Sequence, residues 1–411
     1  MSNMENLQQG QMLSVASNQW ATRPDDEKFL SLAELYEARY SKENRGVVRQ
    51  QQYNMSEFRA FYDDHDELML EHQISNKGGI TLVPTAWSMT QLCARTRTPY
   101  PALKLWQDDG NKSLVVDALN HSFKERGDDM QLYHQYHNTL QPQTLHAATS
   151  EKYTRIFDYE VIQRVQRFTT DSRADWKVPG TIDWSNGQHV ASDYLGSDQV
   201  TKEATTLYAG DRDMFIFLVD DRNPIDLGVT RNGQQDVVFP GFIVGNSTVG
   251  YKPIWMMTFY FRGVCMNRCI WGAEGVKEFS HKHLTNVRQH ALYGDKQSDD
   301  PMKQLGFTGR LKELEKRQQQ GRDKTARSIQ GAMQVEEFND DEARHVALRK
   351  VEIASTTAKK IVSNFEEVES HPILTRWDMH NAITAGARTV TYQNERTKLE
   401  KTATRFLRMA A

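Results

Sequence analysis

The densest hydrophobic pattern in the chain lies between residues 206 and 283. A run of apolar and aromatic residues at 214–219 is closed by a polar turn sequence at 220–224, and further runs follow at 242–244 and 253–261. Each run has the length and the β-branched and aromatic content of a strand. Because these runs are continuously apolar, we expect strands that are covered on both faces of a sheet.

Hydrophobic positions outside this core repeat with helical spacing. They predict an amphipathic helix over 159–168, one or two helices over 336–368 and a final helical pair over 377–409. The predicted fold class is therefore α+β. We expect a central, mostly antiparallel sheet flanked by helices, followed by a helical C-terminal third.

The same patterns divide the chain into four segments. Residues 1–19 are rich in Gln, Asn, Ser and Met without a period, which predicts a flexible leader. Residues 20–297 form the predicted α+β core domain. Residues 298–334 are charged and Gln-rich and are interpreted as a connection, and residues 335–411 as a helical C-terminal region. A chain of 411 residues is long enough to bury a substantial core.

Composition changes this picture in two ways. The formal net charge is −3, so no overall basic field indicates nucleic-acid binding, yet residues 301–411 hold 20 Lys and Arg against 15 Asp and Glu. The three cysteines, Cys93, Cys265 and Cys269, come without a secretory signal or an apolar run of transmembrane length. This combination predicts a reducing cytoplasm, no disulfide framework and no membrane partner.

A possible zinc site is the set Cys265, Cys269, His281 and His283. Its first half approaches the spacing of a Cys2His2 site, but the single residue between the histidines is tighter than that class uses. A small cysteine also packs well among the apolar neighbours of Cys265. These four residues are weak metal candidates, and we expect no cofactor.

Acidic and histidine clusters offer other metal-ion interpretations. Asp211 and Asp213 lie just before the strongest strand, where they bind Mg²⁺, contact a ligand or nucleic acid, or form a charge network. Residues 63–67 lack the alternating ligands of a calcium loop and are interpreted as a solvated turn. His134 and His137 have a spacing that can chelate a metal on a helix, but we interpret them as surface residues.

Aromatic and basic residues interleave over 252–271. Such a composition on a sheet is how single-stranded nucleic acid is bound, by stacking of bases and neutralisation of phosphates. It also describes an ordinary buried strand with charged ends. The C-terminal segment adds a basic helix that faces either phosphate, a partner or solvent, with Arg388, Arg396, Lys398, Lys401, Arg405 and Arg408. The nucleic-acid-binding residues we select are Arg212, Lys252, Trp255, Arg262, Arg268, Arg388 and Arg396.

Four longer stretches resemble one known family. They read GDRDMF, GFIVGNSTVGY, FRGVCMNRCIWGA and WDMHNAITAGARTVTYQNERTKLEKTA, and similarity continues in the same order from about residue 18 to 406. The chain resembles the phage/plasmid-like family called domain of unknown function 932. The resemblance implies a mobile genetic element and therefore the host cytoplasm, but it implies no reaction.

Three functional hypotheses follow from these features. The chain carries no phosphate-binding loop, dinucleotide fingerprint or nucleophile elbow, so we expect no catalytic residues of those classes. The first hypothesis is a non-enzymatic phage or plasmid protein that binds or anneals single-stranded DNA in replication or recombination. The second is an interaction or assembly protein, anti-defence or particle-associated, with host or phage protein partners. The third is a metal-dependent nuclease. We expect a homo-oligomer.

Overall fold

The structure is a computed structural model of the whole chain. It describes residues 22–44, 48–73, 79–135, 142–178, 202, 205–220, 222–231, 234–262, 269–270, 278–369, 371–387, 390 and 393–408. The predicted leader over 1–19 lies outside these residues. The described residues form an α+β fold with helices at the C-terminal end, which confirms the predicted fold class.

Among the described residues, strands and helices are interspersed up to residue 281, and helices follow. The described strands are β1 (Lys28–Phe29), β2 (Val48–Asn54), β3 (Phe58–Tyr62), β4 (Leu68–His72), β5 (Thr81–Pro84), β6 (Asp129–Gln135), β7 (Gln143–Thr149), β8 (Trp176–Lys177), β9 (Leu207–Ala209), β10 (Met214–Asp220), β11 (Ile225–Arg231), β12 (Gln234–Asn246), β13 (Ile254–Arg262), β14 (Cys269–Ile270) and β15 (Glu278–His281). The described α-helices are α1 (Leu32–Asn44), α2 (Ala86–Thr96), α3 (Tyr100–Asp108), α4 (Lys112–Arg126), α5 (Asp158–Asp171), α6 (Val287–Tyr293), α7 (Pro301–Gln304), α8 (Phe307–Gln320), α9 (Arg322–Gln334), α10 (Asp341–Lys350), α11 (Ser355–Glu369), α12 (Arg376–Ala387) and α13 (Gln393–Arg408).

The larger sheet is antiparallel in the described residues and has the order β1-β9-β10-β12-β13-β14. Strands β8, β11 and β15 pair with β10, β12 and β13. Successive side chains of a strand point to opposite faces, and both faces of β10 are buried. Met214, Ile216 and Leu218 pack with α1, α5 and α8, whereas Phe215 and Phe217 pack into a second cluster on the other face. The expectation of strands covered on both sides is confirmed.

The smaller sheet is mixed and has the order β2-β6-β7-β5-β4-β3, with β5 and β7 parallel. Helices α2, α3 and α4 cover one face and share a hydrophobic cluster with it. The turn between β3 and β4 is the acidic stretch at 63–67, where the Asp63 carboxylate accepts from the backbone N–H groups of His65 and Glu67. The prediction of a solvated turn there is confirmed.

The interpretation of His134 as a surface residue with helical spacing to His137 is wrong. His134 lies on β6 and is buried, and its Nδ1 is 2.8 Å from the Gln143 side-chain oxygen. The alternation of Met130 and Leu132 with polar residues is a strand pattern, and pairing with β2 and β7 fixes it. His137 lies outside the described residues.

Helices dominate the chain after residue 297. Within the predicted connection over 298–334, Leu311 and Leu314 join the cluster beneath the larger sheet, and Ile329 packs with Trp377. Helices α10 to α13 contribute to a cluster of their own. The division of the chain into domains stays a prediction. In the part of the chain that the structure describes, no helix is long and apolar enough to span a bilayer.

A buried charge cluster ties α1 to α5 beside the larger sheet. The Arg39 guanidinium lies 2.7 Å from a Glu43 oxygen and 2.8 Å from an Asp158 oxygen. The second Glu43 oxygen accepts from the Tyr159 backbone N–H, and Asp158 also accepts from the Asn246 side-chain amide. Burial, opposed by Arg39 and reinforced by Asp158, raises the pKa of Glu43 to about 7. The single buried guanidinium of Arg39 therefore forms ion pairs with two buried carboxylates.

Arg155 joins the two sheets. Its Nε donates to the Gln50 side chain on β2 at 3.1 Å, and its Nη1 donates to the Thr248 carbonyl just after β12. The guanidinium lies 3.8 Å from the centre of the Tyr133 ring on β6. Arg155 is buried, and its electrostatic contacts are stronger in that low-dielectric environment than they would be in water. These contacts therefore connect the two sheets.

Candidate nucleic-acid interface

A cleft of about 950 Å³ separates the larger sheet from the C-terminal helices. We call it the sheet–helix cleft. Its floor comes from the turn before β13 and from β13 and β15, and its wall comes from the turn after α10 and from α13. The floor residues are Tyr251, Lys252, Pro253, Trp255, Met257 and Ser280, and the wall includes Glu352, Glu395, Lys398, Lys401 and Arg405.

Trp255 is one of the two half-buried aromatic residues of the floor, together with Tyr251. It is half-buried on β13, opposite Gly245 of β12 in the strand register. The indole ring lies across Gly245, so that a Cβ at that position would clash with the ring. Phe215 meets the same ring edge-on, with 5.9 Å between ring centroids. These contacts hold the indole in one orientation at the base of the cleft.

Lys252 supplies a cation beside this ring. Its Nζ lies 4.6 Å from the centroid of Phe215 and 5.3 Å from that of Tyr251, in the geometry of cation–π contacts. The nearest described carboxylate is that of Asp213, whose Oδ2 is 3.7 Å away. Burial lowers the pKa of Lys252 below its ordinary value, although Asp213 opposes this shift. The side chain is therefore held largely by aromatic contacts.

The helical wall follows from the period of α13. Lys398, Lys401 and Arg405 recur at intervals of three and four residues, so they share one face, and that face lines the cleft. Arg396 and Glu400 lie on the opposite, buried face and pair at 2.9 Å. Burial raises the pKa of Glu400 to about 7, with Arg396 opposing the shift.

Among the lining residues basic side chains outnumber acidic ones, four to two. Arg212 adds a further exposed cation at the edge, with its guanidinium 5.8 Å from the centre of the Tyr251 ring. The acidic members are Glu352 and Glu395, both exposed on the wall. The cleft is thus locally positive in a chain whose net charge is −3. Local charge, rather than net charge, governs the attraction of a phosphate backbone.

Three of the selected nucleic-acid residues meet at this cleft, namely Arg212, Lys252 and Trp255. Arg396 does not reach the cleft. It is buried against Glu400 and cannot contact a phosphate, so the prediction that it binds nucleic acid is wrong. The side chain of Arg262, and the whole of Arg268 and Arg388, lie outside the described residues.

Sequence reasoning placed Lys398, Lys401 and Arg405 in a basic segment but did not separate them from Arg396. The period could have done so, because Arg396 falls on the stripe that also carries the apolar Ala403 and Phe406. Glu352 carried no comparable pattern. Its place on the wall depends on packing between distant parts of the chain.

The two histidines of the proposed zinc set pack against different aromatic rings. His281 lies on β15 with its ring 4.4 Å from that of Phe279, and His283 stacks on Tyr153. Burial lowers the pKa of each imidazole to about 4. The side chains of Cys265 and Cys269 lie outside the described residues, so the full set stays a weak prediction.

Asp211 and Asp213 differ in exposure to solvent. The Asp211 carboxylate is exposed and pairs with Lys42 at 2.8 Å, whereas that of Asp213 is fully buried. Among the described residues no cluster of three or more His, Cys, Asp or Glu side chains could hold a metal ion. Of the interpretations from sequence, these contacts favour the charge network.

The turn after α10 contains a backbone conformation that glutamate rarely adopts. Glu352 has φ 66°, the left-handed region in which glycine is favoured. Its N–H donates to the Arg349 carbonyl, and the Ile353 N–H donates to the Leu348 carbonyl, which is the Schellman arrangement at a helix end. An acidic side chain at this C-terminal helix end is also unfavourable, because the helix dipole places partial negative charge there.

We expect Glu352→Gly to raise the free energy of unfolding by about 1 kcal/mol, because glycine adopts positive φ without strain. Arg349→Gly, at an exposed helical position three residues earlier, is the matched control and should lower it by about 1 kcal/mol. Urea denaturation measures both. A loss of stability in Glu352→Gly would contradict the conformation described at this turn.

The close approach of Trp255 to Gly245 gives a second stability prediction. Gly245→Ala should lower the free energy of unfolding by about 1–3 kcal/mol, since the new methyl group must displace the indole ring. Gly79→Ala is the control, because a Cβ there meets no atom within 4 Å. Thermal unfolding of the two variants distinguishes them, and equal stability would contradict the packing described.

Comparison of the chain with protein-family models, curated proteins and solved structures found no match. The resemblance to the phage/plasmid-like family stays a prediction.

Proposed function

We propose that this protein binds single-stranded DNA in the sheet–helix cleft, as a non-enzymatic participant in replication or recombination of a phage or plasmid. The single observation that carries the proposal is the juxtaposition of Trp255 and Lys252 with the basic face of α13. Residues about 150 positions apart in the chain thereby form one surface.

The floor and the wall of the cleft suit the bases and the phosphates of a single strand, respectively. A base has a π-face that stacks on an aromatic ring whatever its identity, and Trp255 presents such a ring. Phosphates attract the ammonium and guanidinium groups of Lys398, Lys401 and Arg405 across the cleft. A paired duplex keeps its bases stacked on one another, so the indole would have no base to receive. We therefore expect a preference for single strands.

Salt dependence tests this proposal. Binding to single strands weakens with salt with a slope of about −0.7 for each phosphate neutralised, so four contacts give a slope of about −3 in a double-logarithmic plot. The measurement is a titration of labelled oligothymidine at several salt concentrations. A duplex of equal length is the comparison. Absence of binding at low salt would contradict the proposal and favour a protein partner.

A further inference from the structure

Asp213 is a buried carboxylate with an unusual set of neighbours. Its side chain has no exposed surface, and neither oxygen accepts a hydrogen bond from the described residues. Two cations lie near this carboxylate, each beyond hydrogen-bond distance. Arg23 Nη2 is 3.7 Å from Oδ1, and Lys252 Nζ is 3.7 Å from Oδ2. Because a buried carboxylate without hydrogen bonds is costly, nearby cations must stabilise it, and among the described residues these two are its ion-pair partners within 4 Å.

The two cations differ in what else holds them. Arg23 also pairs with Glu27, through Nη1 at 2.5 Å, whereas its Nη2 is the nitrogen near Asp213. Lys252 lines the sheet–helix cleft, and its distance to Asp213 exceeds that of a hydrogen bond. A lysine ammonium sits on a flexible four-carbon stem and reorients at low cost. Lys252, with a side chain that is 7% exposed, therefore lies between the buried carboxylate and the cleft without a hydrogen bond to that carboxylate.

We propose that Asp213 is the resident counter-ion of Lys252, and that Lys252 exchanges this carboxylate for a DNA phosphate when a strand enters the cleft. The inference rests on the proposed function and adds a regulatory residue to it. Asp213 remains opposite Arg23 after the exchange, so its charge is not left uncompensated. The carboxylate competes with the phosphate and restrains affinity.

Protonation of Asp213 removes this competition. Burial raises the pKa of Asp213 to about 6, against the opposing effects of Lys252, Arg23 and Arg212, while Asp158 adds to the increase. At pH 7.5 the carboxylate is charged and holds Lys252. At pH 5.5 it is mostly neutral, and Lys252 is available to phosphate. Affinity for a single strand should therefore rise as the pH falls through about 6.

Binding of labelled oligothymidine to the full chain at pH 5.5 and 7.5 tests the exchange. Wild type should bind about tenfold more tightly at pH 5.5, and Asp213→Asn should bind at pH 7.5 about as tightly as wild type does at pH 5.5. Any pH dependence that remains in Asp213→Asn measures the titration of other groups. Lys252→Gln should bind weakly and lack the pH-dependent gain.

The outcomes separate this inference from the function on which it rests. If wild type binds but Asp213→Asn has the same affinity and pH profile, the exchange is wrong and DNA binding stands. If no variant binds at either pH, both are wrong. If Asp213→Asn fails to fold, the comparison of wild type with Lys252→Gln decides, since an equal gain at pH 5.5 in both would overturn the exchange.

Discussion

Replacing Arg39 by methionine is expected to lower the free energy of unfolding by about 3–5 kcal/mol, the largest effect we predict. Methionine fills much of the same space but carries no charge. Glu43 and Asp158, with side chains that are each 1% exposed, would then share a buried site without their cation. Urea denaturation at neutral pH gives the measurement.

A matched control is available on the surface. Arg317 and Glu313 form a pair with the same residue types at a separation of four, at 2.6 Å, but both side chains are more than a quarter exposed. Arg317→Met should therefore cost no more than about 0.5 kcal/mol. Similar losses in the two variants would contradict the claim that burial makes the Arg39 cluster important.

The effect of Arg39→Met should depend on pH. The pKa of Glu43 in the folded state, about 7, lies above its ordinary value of 4.5, so the folded protein binds this proton more tightly than the unfolded chain. The contribution of Glu43 to stability is complete below about pH 4.5 and is lost as the pH rises to about 7. Without Arg39 the buried carboxylates are more costly when charged. The loss should be smaller at pH 5 than at pH 8, and a pH-independent loss would count against the account.

Replacing Trp255 by alanine is expected to weaken binding of a single-stranded oligonucleotide by about 5- to 150-fold, since stacking of one base contributes about 1–3 kcal/mol. The indole is a half-buried ring of the cleft floor, and Gly245 and Phe215 fix its orientation. A preformed ring loses little conformational entropy when a base stacks on it.

Trp255→Phe separates stacking from folding. Phenylalanine retains an aromatic face and should keep most of the affinity, whereas alanine loses it. Fluorescence anisotropy at fixed salt measures both, and thermal unfolding shows whether each variant is folded. If alanine and phenylalanine variants bind as wild type does, Trp255 is only a packing residue of the sheet.

The fold was predictable where a local pattern coincided with burial. The run at 214–219 is apolar at every position, and both faces of β10 are indeed covered. The smaller sheet was harder to find, because β2 and β6 carry many polar residues and depend on partners distant in the chain. Strand pairing of this kind is a tertiary property.

The cleft was only partly predictable for the same reason. Trp255 and Lys252 stood out by their residue types, and Arg212 by its position before a strand. Composition alone did not show that Arg396 faces inward and pairs with Glu400, or that the turn at Glu352 reaches the cleft. The buried side of Arg396 follows from the period of α13, whereas the position of Glu352 depends on packing between distant parts of the chain.

The most direct test of the account removes the basic face of α13. A triple variant, Lys398→Ala, Lys401→Ala and Arg405→Ala, is compared with a control that loses three exposed lysines away from the cleft, Lys104, Lys124 and Lys152. Both proteins lose the same charge. Anisotropy titration with labelled oligothymidine at low salt should show at least about a tenfold loss for the first and little change for the control. Equal affinity of the two variants would contradict the sheet–helix cleft as the site where DNA binds.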